Sequence, residues 1–301
     1  MDQHTAPEVC ATDPDRRFGG LTRLYGVNGA QKIRSAHAVV IGLGGVGSWA
    51  AEALARSGVA RLTLIDLDHI AESNINRQIH ALESTLGQSK VQAMRERIAL
   101  INPECDVRCI EEFVNSDNWP AIAGLDLPPY AQPLAIIDAC DQVRAKTAMA
   151  VWALQQNAAS KDMGKVHFIT VGAAGGKRQA HKVDIDDLAM VTHDPLLAQL
   201  RYRLRKGQGA ARKGKIGITC VFSREAVMQR AEVGPSAASD VGPPIKASNE
   251  EAGSGDSINA QSDNSLNCHG YGSVVSVTST FGICAAGWIL SEIAGRFPDS
   301  P

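Results

Sequence analysis

The chain carries seven cysteines but no C-x-x-C pair. That absence excludes the paired-thiolate zinc sites, and an odd count gives no even disulfide framework, so a reduced, cytoplasmic setting is expected. An excess of either charge is also missing. With 30 Lys and Arg against 32 Asp and Glu, the net charge is −2, so contact with nucleic acid would need a local basic patch. The opening stretch MDQHTAPEVCATDPDRR lacks the basic and apolar pattern of a signal or transit peptide. Residues 1–15 are expected to be disordered. No internal repeat is visible. Long apolar runs are absent save one, Ser273 to Leu290, which is rich in Ser, Thr and Gly. Its modest hydrophobicity argues against membrane association and for a buried C-terminal helix that could also meet a second subunit. What remains is 301 residues, 44% hydrophobic and 21% charged, enough for a full globular core.

The positive signal begins at AVVIGLGGVGSWAAEAL, residues 38–54. A buried strand runs into Gly42, Gly44 and Gly47, and an Ala-rich helix opens near Ser48. The first glycine permits a tight turn, the second lets a phosphate approach the backbone, and the third lets helix and strand lie close. The helix N-terminus that follows suits an anion. Strands are then expected at 62–66, 107–110, 134–137 and 166–171, with helices at 86–100 and 143–157 between them. This alternation predicts a Rossmann-like α/β fold, a doubly wound and mostly parallel sheet with helices on both faces. Residues 16–175 would form the nucleotide-binding domain. Residues 176–301 would continue it with strands at 179–184 and 216–222, a helix at 195–206, a flexible loop at 232–267 and the apolar C-terminal helix.

A glycine turn followed by Asp66 permits an NAD-dependent oxidoreductase, with Asp66 on the ribose. The residues beyond the later strands favour a triphosphate instead. Asn74, Arg77 and Gln78 follow the second strand, Lys90 opens a helix, and Asp138 and Asp141 end the fourth strand. Two cations neutralise phosphoryl oxygens and an aspartate holds magnesium, whereas hydride transfer needs none of these.

The ordered set GxGGxG, DxD, N-x-x-RQ, GQ-x-K and D-x-x-D resembles the adenylating domain of the ubiquitin-activating superfamily over residues 17–172. The resemblance implies ATP as cosubstrate with Mg2+, and attack of a substrate carboxylate on the α-phosphate. It places Gly42, Gly44, Gly45, Gly47 and Arg77 at the phosphates with Asn74 and Lys90. Asp66 would take the ribose, Gln78 would lie beside the site, and Asp141 would take the metal; Arg77, Lys90 and Asp141 would form the catalytic set. The phrases RFGGLTRLYG, NRQIHAL, INPEC, TVGAAGG and GKIGITCVFS further resemble the tRNA threonylcarbamoyladenosine dehydratases. That implies a tRNA substrate, AMP formation and a homodimer. Two questions stay open here. A sulfur-carrier protein is the alternative substrate, with a sulfur-transfer partner and Cys220 or Cys268 as thiol acceptor. An arginine lent to a partner's ATP would be Arg17 or Arg23. Simple burial is expected for Cys140, and loop-shaping roles for Asp68 and Asn76. His80 reads as a packing or hydrogen-bonding residue. Arg201 to Lys215, RYRLRKGQGAARKGK, is the densest basic stretch and the expected tRNA contact beside the ATP site.

Overall fold

Alternate residues of one short strand feed two separate cores. The computed structural model describes residues 13–125, 130, 132–159, 164–228 and 271–295. In it β1, His37–Ile41, sends Ala38 and Val40 into one apolar cluster and Val39 and Ile41 into the other. A strand buried on both faces must be apolar throughout, and this one is.

Six more strands complete the sheet: β2 Arg61–Ile65, β3 Asp106–Ile110, β4 Leu134–Asp138, β5 Val166–Val171, β6 Val183–Asp187 and β7 Thr219–Ser223. Their order is β3-β2-β1-β4-β5-β7-β6. All pairings are parallel except β6 with β7. The order reverses between β1 and β4, and that reversal leaves a crevice at the carboxyl ends of the strands. β6 and β7 extend the same sheet.

The helices are α1 Pro14–Ser35, α2 Gly47–Arg56, α3 Lys90–Ile101, α4 Val143–Ala159, α5 Pro195–Gly207 and α6 Val275–Ala294. Ile33, Leu54, Met94 and Phe281 place α1, α2, α3 and α6 on one face; Met149 and Leu200 place α4 and α5 on the other. Truncating a fully buried residue such as Leu54 or Phe281 to Ala should cost about 2–5 kcal/mol.

Several boundaries differ from the expectation: α3 begins at Lys90 instead of 86 and β7 at Thr219 instead of 216, and two larger differences have visible causes. Asp13 accepts the backbone N–H of Asp15 at 2.9 Å and of Arg16 at 3.1 Å, and Pro14 takes the first helical position. The cap thus starts α1 inside the stretch expected to be disordered. That helix is interrupted at Gly26, whose φ of 72° is non-helical. The strand expected at 179–184 begins only at Val183. Glu225 takes the N–H groups of Arg178 and Gln179 at 3.0 and 2.8 Å, so this backbone bonds to a carboxylate instead of a neighbouring strand. The rest of the expected N-terminal disorder, and the loop at 232–267, lie outside the described residues.

By length and composition α6 could cross a membrane, yet it is laid into the core. Val277, Phe281, Ala285, Ile289 and Ile293, four residues apart, form its buried stripe. At Gly282 a Cβ would run into the Val46 carbonyl and the Ala50 nitrogen, so α6 crosses α2 at close range. The expected buried helix is what the structure contains.

Candidate active site

The crevice at the β1–β4 reversal is a cleft of about 350 Å3. Gly42, Gly44, Gly45, Asp66, Asn74, Arg77, Gln78, Lys90 and Asp141 all line it. Five separate sequence motifs therefore meet in one place.

The turn after β1 sets the floor. Gly42 has φ 83°, a left-handed value that favours glycine. Gly47 is absent from the lining; a Cβ there would strike the Gly42 carbonyl oxygen. Its function is to let α2 approach the turn, not to touch phosphate. Asp66 stands at the end of β2. One carboxylate oxygen accepts the Leu43 N–H at 2.5 Å and the other accepts the Asp68 N–H at 2.8 Å. Burial pushes its pKa up, against the nearby Lys90 ammonium and those backbone donors. Asp66 thus ties the glycine turn to the loop after β2 while facing the cleft.

Lys90 is the first residue of α3, and its Nζ lies 2.7 Å from an Asp68 carboxylate oxygen. The lysine side chain is 6% exposed and the aspartate 56%, so the pair points from the wall into the opening. Asp68 therefore holds a cleft lysine as well as shaping a loop. Asn74 Oδ1 accepts the Ala71 N–H, which pins the short turn before Arg77. Arg77 donates to the Ser73 carbonyl at 2.7 Å and to Asn76 Oδ1 at 2.9 Å. Its own carbonyl accepts from Trp49 on α2, and Asn76 donates to the Ser273 carbonyl ahead of α6. Asn76 fixes the loop, as expected. Arg77 and Thr278 flank Gly45, so the end of the chain closes this wall.

The D-x-x-D motif divides. Asp141 faces the cleft, but Asp138 is fully buried. Lys146 Nζ lies 3.1 Å from Asp138 Oδ2 and donates to Thr170 Oγ1 at 3.1 Å and the Val171 carbonyl at 2.9 Å. Thr170 Oγ1 donates to Asp138 Oδ2 at 2.6 Å. Burial alone would depress the Lys146 pKa; Asp138 outweighs it and holds the ammonium above its ordinary value. Asp138 is thus a structural anion joining β4 to β5, which corrects its reading as a site residue. The Cys140 thiol donates to Asp138 Oδ1 at 3.1 Å, and burial pushes its pKa well above the usual range.

The remaining expectations resolve unevenly. Cys220 is fully buried with its thiol pushed well up by burial, whereas Cys268 lies outside the described residues. Arg17 donates to the Ile101 carbonyl at 2.6 Å within its own chain, and Arg23 is exposed. Among the described residues no three His, Cys, Asp or Glu side chains come together. One carboxylate at Asp141 suits magnesium, which takes its remaining ligands from phosphates and water. The basic stretch Arg201–Lys215 begins at the seventh residue of α5 and runs away from the cleft. α5 starts at the cleft with Pro195 and Leu196 and ends near the start of β7, at the opposite edge of the sheet. Thirteen residues of helix make that separation about 20 Å.

Sequence reasoning missed Lys146, Lys177 and the cap at Asp194. Asp194 accepts the Leu197 N–H at 3.0 Å and the Ala173 N–H at 2.9 Å, joining α5 to the turn after β5. The dipeptide Asp194-Pro195 before an apolar helix was the available signal. Nothing in the sequence pairs Lys146 with Asp138.

Comparison with known proteins agrees with this geometry. The ThiF family model matches residues 19–234. The chain is 38% identical to the tRNA threonylcarbamoyladenosine dehydratase of Escherichia coli K12 over 284 residues, covering 93% of this chain and 94% of the relative. It is 36% identical to the Haemophilus influenzae protein of that name over 286 residues, with the same coverage of each chain. Crystal structures of the E. coli enzyme in complex with ATP and with AMP superpose with TM-scores of 0.71 and 0.72 at 37% identity, covering 93% of this chain and 94% of theirs. On the strength of the matched model and of relatives aligned over nearly its whole length, the chain belongs to the ThiF family, among its tRNA threonylcarbamoyladenosine dehydratases.

Proposed function

We propose that this protein is an ATP-dependent dehydratase that closes a ring on threonylcarbamoyladenosine at position 37 of tRNA. The carrying observation is the meeting of the glycine turn, Asp66, Arg77, Lys90 and Asp141 in one cleft at the strand reversal. The names of the relatives, and the ATP and AMP complexes of the E. coli enzyme, support the substrate and cosubstrate.

The threonyl carboxylate attacks the α-phosphorus of ATP, giving an acyl-adenylate and pyrophosphate. A carbamoyl nitrogen then attacks that carbonyl carbon and loses its proton as AMP departs, so a five-membered ring forms with net loss of water. Adenylation turns a poor leaving group into a good one, and the tethered nitrogen gains the effective molarity of intramolecular attack. Arg77 and Lys90 hold the phosphoryl oxygens and stabilise charge that grows as pyrophosphate leaves. Asn74 and Asp66 fix the walls, with Asp66 at the ribose and Gln78 beside it. Asp141 would hold a magnesium ion, which screens the same charge. No thiol enters this scheme, and the burial of Cys220 supports that. A homodimer in a reducing cytoplasm completes the reading, and the free thiols of Cys105, Cys109, Cys140, Cys220 and Cys284 support that setting.

The deciding experiment is mass spectrometry of nucleosides from tRNA incubated with protein and ATP. Loss of one water from threonylcarbamoyladenosine, matched by AMP and pyrophosphate, is expected. Pyrophosphate release with a sulfur-carrier protein but none with tRNA would overturn the assignment.

A further inference from the structure

We infer that tRNA docks over the β5–β7 half of the cleft rim, through Arg178, Lys182 and Arg224, and not through Arg201–Lys215. The inference rests on the tRNA reading above and adds to it the surface that the polyanion meets.

Topology supplies the first argument. β6 is antiparallel to β7, with Val183 opposite Ser223. Residues just before Val183 and just after Ser223 therefore lie at the carboxyl edge of the sheet, where Gly172 follows β5 and the cleft opens. Gly175 lines the cleft, and Arg178 follows three residues later, at most about 10 Å along the chain. The later part of Arg201–Lys215, from Lys206 on, sits about a helix length from the cleft, towards the other edge. Part of its charge is also engaged: Arg201 donates to the carbonyls of Leu188 and Val191, and Arg205 donates to that of Ala211.

Charge distribution supplies the second. Gly172–Lys182 contains cations and no acid. Lys177 is 2% exposed and gives its protons to the carbonyls of His193, Ser223 and Glu225, which makes it the internal post of this rim. Arg178, Lys182 and Arg224 are exposed around it. Arg224 is paired with Asp184 at 2.6 Å, an exposed ion pair of the weak surface kind that a phosphate can replace. The opposite rim, after β2 and β3, exposes Glu72, Glu111 and Glu112. A polyanion approaching the cleft is drawn to one side and repelled from the other.

An aromatic completes the basic side. Tyr271, 42% exposed, lies against the Gly175–Gly176 turn and lines the cleft. An exposed ring at the mouth offers the modified base a face to stack on while its threonyl carboxylate reaches ATP.

The test measures binding of bulk tRNA by the full chain across a salt series, with ATP binding and thermal unfolding as controls. Replacing Arg178 and Lys182 by Ala should weaken binding at least tenfold and lower the salt slope by about 1.4 to 1.8, two phosphate contacts' worth. The charge-conserving variant, Arg178→Lys with Lys182→Arg, should retain most of the affinity. ATP affinity should not change in either. A variant lacking Lys206, Arg212, Lys213 and Lys215 should bind tRNA nearly as the wild type does. If instead that quadruple variant loses affinity while the Arg178/Lys182 variant keeps it, the inference is overturned, as it also is if neither variant changes affinity. A wild-type protein that binds ATP but no tRNA overturns the functional reading together with this surface.

Discussion

Lys90 and Lys146 are both buried lysines near the carboxyl ends of the strands, and they serve opposite ends. Lys146 has no exposed surface, and its protons go to Asp138, Thr170 and Val171. Lys90 is nearly as buried but faces an exposed Asp68 across the cleft wall. The first is consumed by the fold; the second has a partner that an incoming phosphate can displace. The same division separates Asp138 from Asp141 within one short motif. Burial of a charge says little about function until its partners are named.

The largest effect expected on this comparison is at Lys146. Lys146→Ala leaves Asp138 as an uncompensated buried charge and should cost about 3–5 kcal/mol of stability, read from urea unfolding. Adding Asp138→Ala should restore part of it. An unchanged midpoint for the single variant would break the division drawn here.

Next comes the cleft. Arg77→Ala, and likewise Lys90→Ala, should lower AMP formation at least about 100-fold, about 2.7 kcal/mol of transition-state stabilisation. The unfolding midpoint should move little in either. Near-normal turnover by Arg77→Ala would remove it from the site.

His80 sharpens the comparison by pH. It is buried close to Lys90 and Arg97, neither ring nitrogen has a hydrogen-bond partner, and burial first, then those cations, lower its pKa to about 4. The unfolded imidazole, at its ordinary 6.5, takes up a proton before the folded one. Stability should therefore fall as pH drops from about 6.5 towards 4, by about 2 kcal/mol between pH 7 and pH 5. His37, also lowered to about 4, acts in the same window. His80→Phe should flatten part of that slope, and a slope identical to wild type would show that His80 titrates freely.

The smallest effect belongs to a thiol. Cys220→Ala should keep most of the ring-closing activity, because a fully buried sulfur with a raised pKa is no acceptor. Complete inactivity with folding and ATP binding intact would restore a thioester route.

Much of this site was legible because its motifs sit where strands end. G-x-G-x-x-G after an apolar run, and N-x-x-R-Q after Asp66, need only a parallel sheet to converge, and the alternation supplied one. Asp138 and Lys146 were opaque because their meeting depends on β4 ending one residue later than expected, with Asp138 level with Thr170 on β5. The course of the basic stretch was opaque for a related reason. Charge density along a chain does not reveal which edge of the sheet it reaches, and here α5 starts at the cleft and carries the charge towards the far one.

The contact between Thr278 and Gly45 carries a consequence for biosynthesis. The glycine turn leaves the ribosome early, followed by every other residue that lines the nucleotide cleft except those near α6. The wall behind Gly45, supplied by Thr278 on α6, arrives long after it. A nascent chain halted before Val275 would display the phosphate loop with its backing helix missing and the apolar side of α2 bare. Such a contact, between residues far apart in sequence, makes folding slow to complete and ties the nucleotide cleft to the emergence of α6. Emergence of α6, more than that of the glycine motif, marks the moment at which the phosphate turn is first backed.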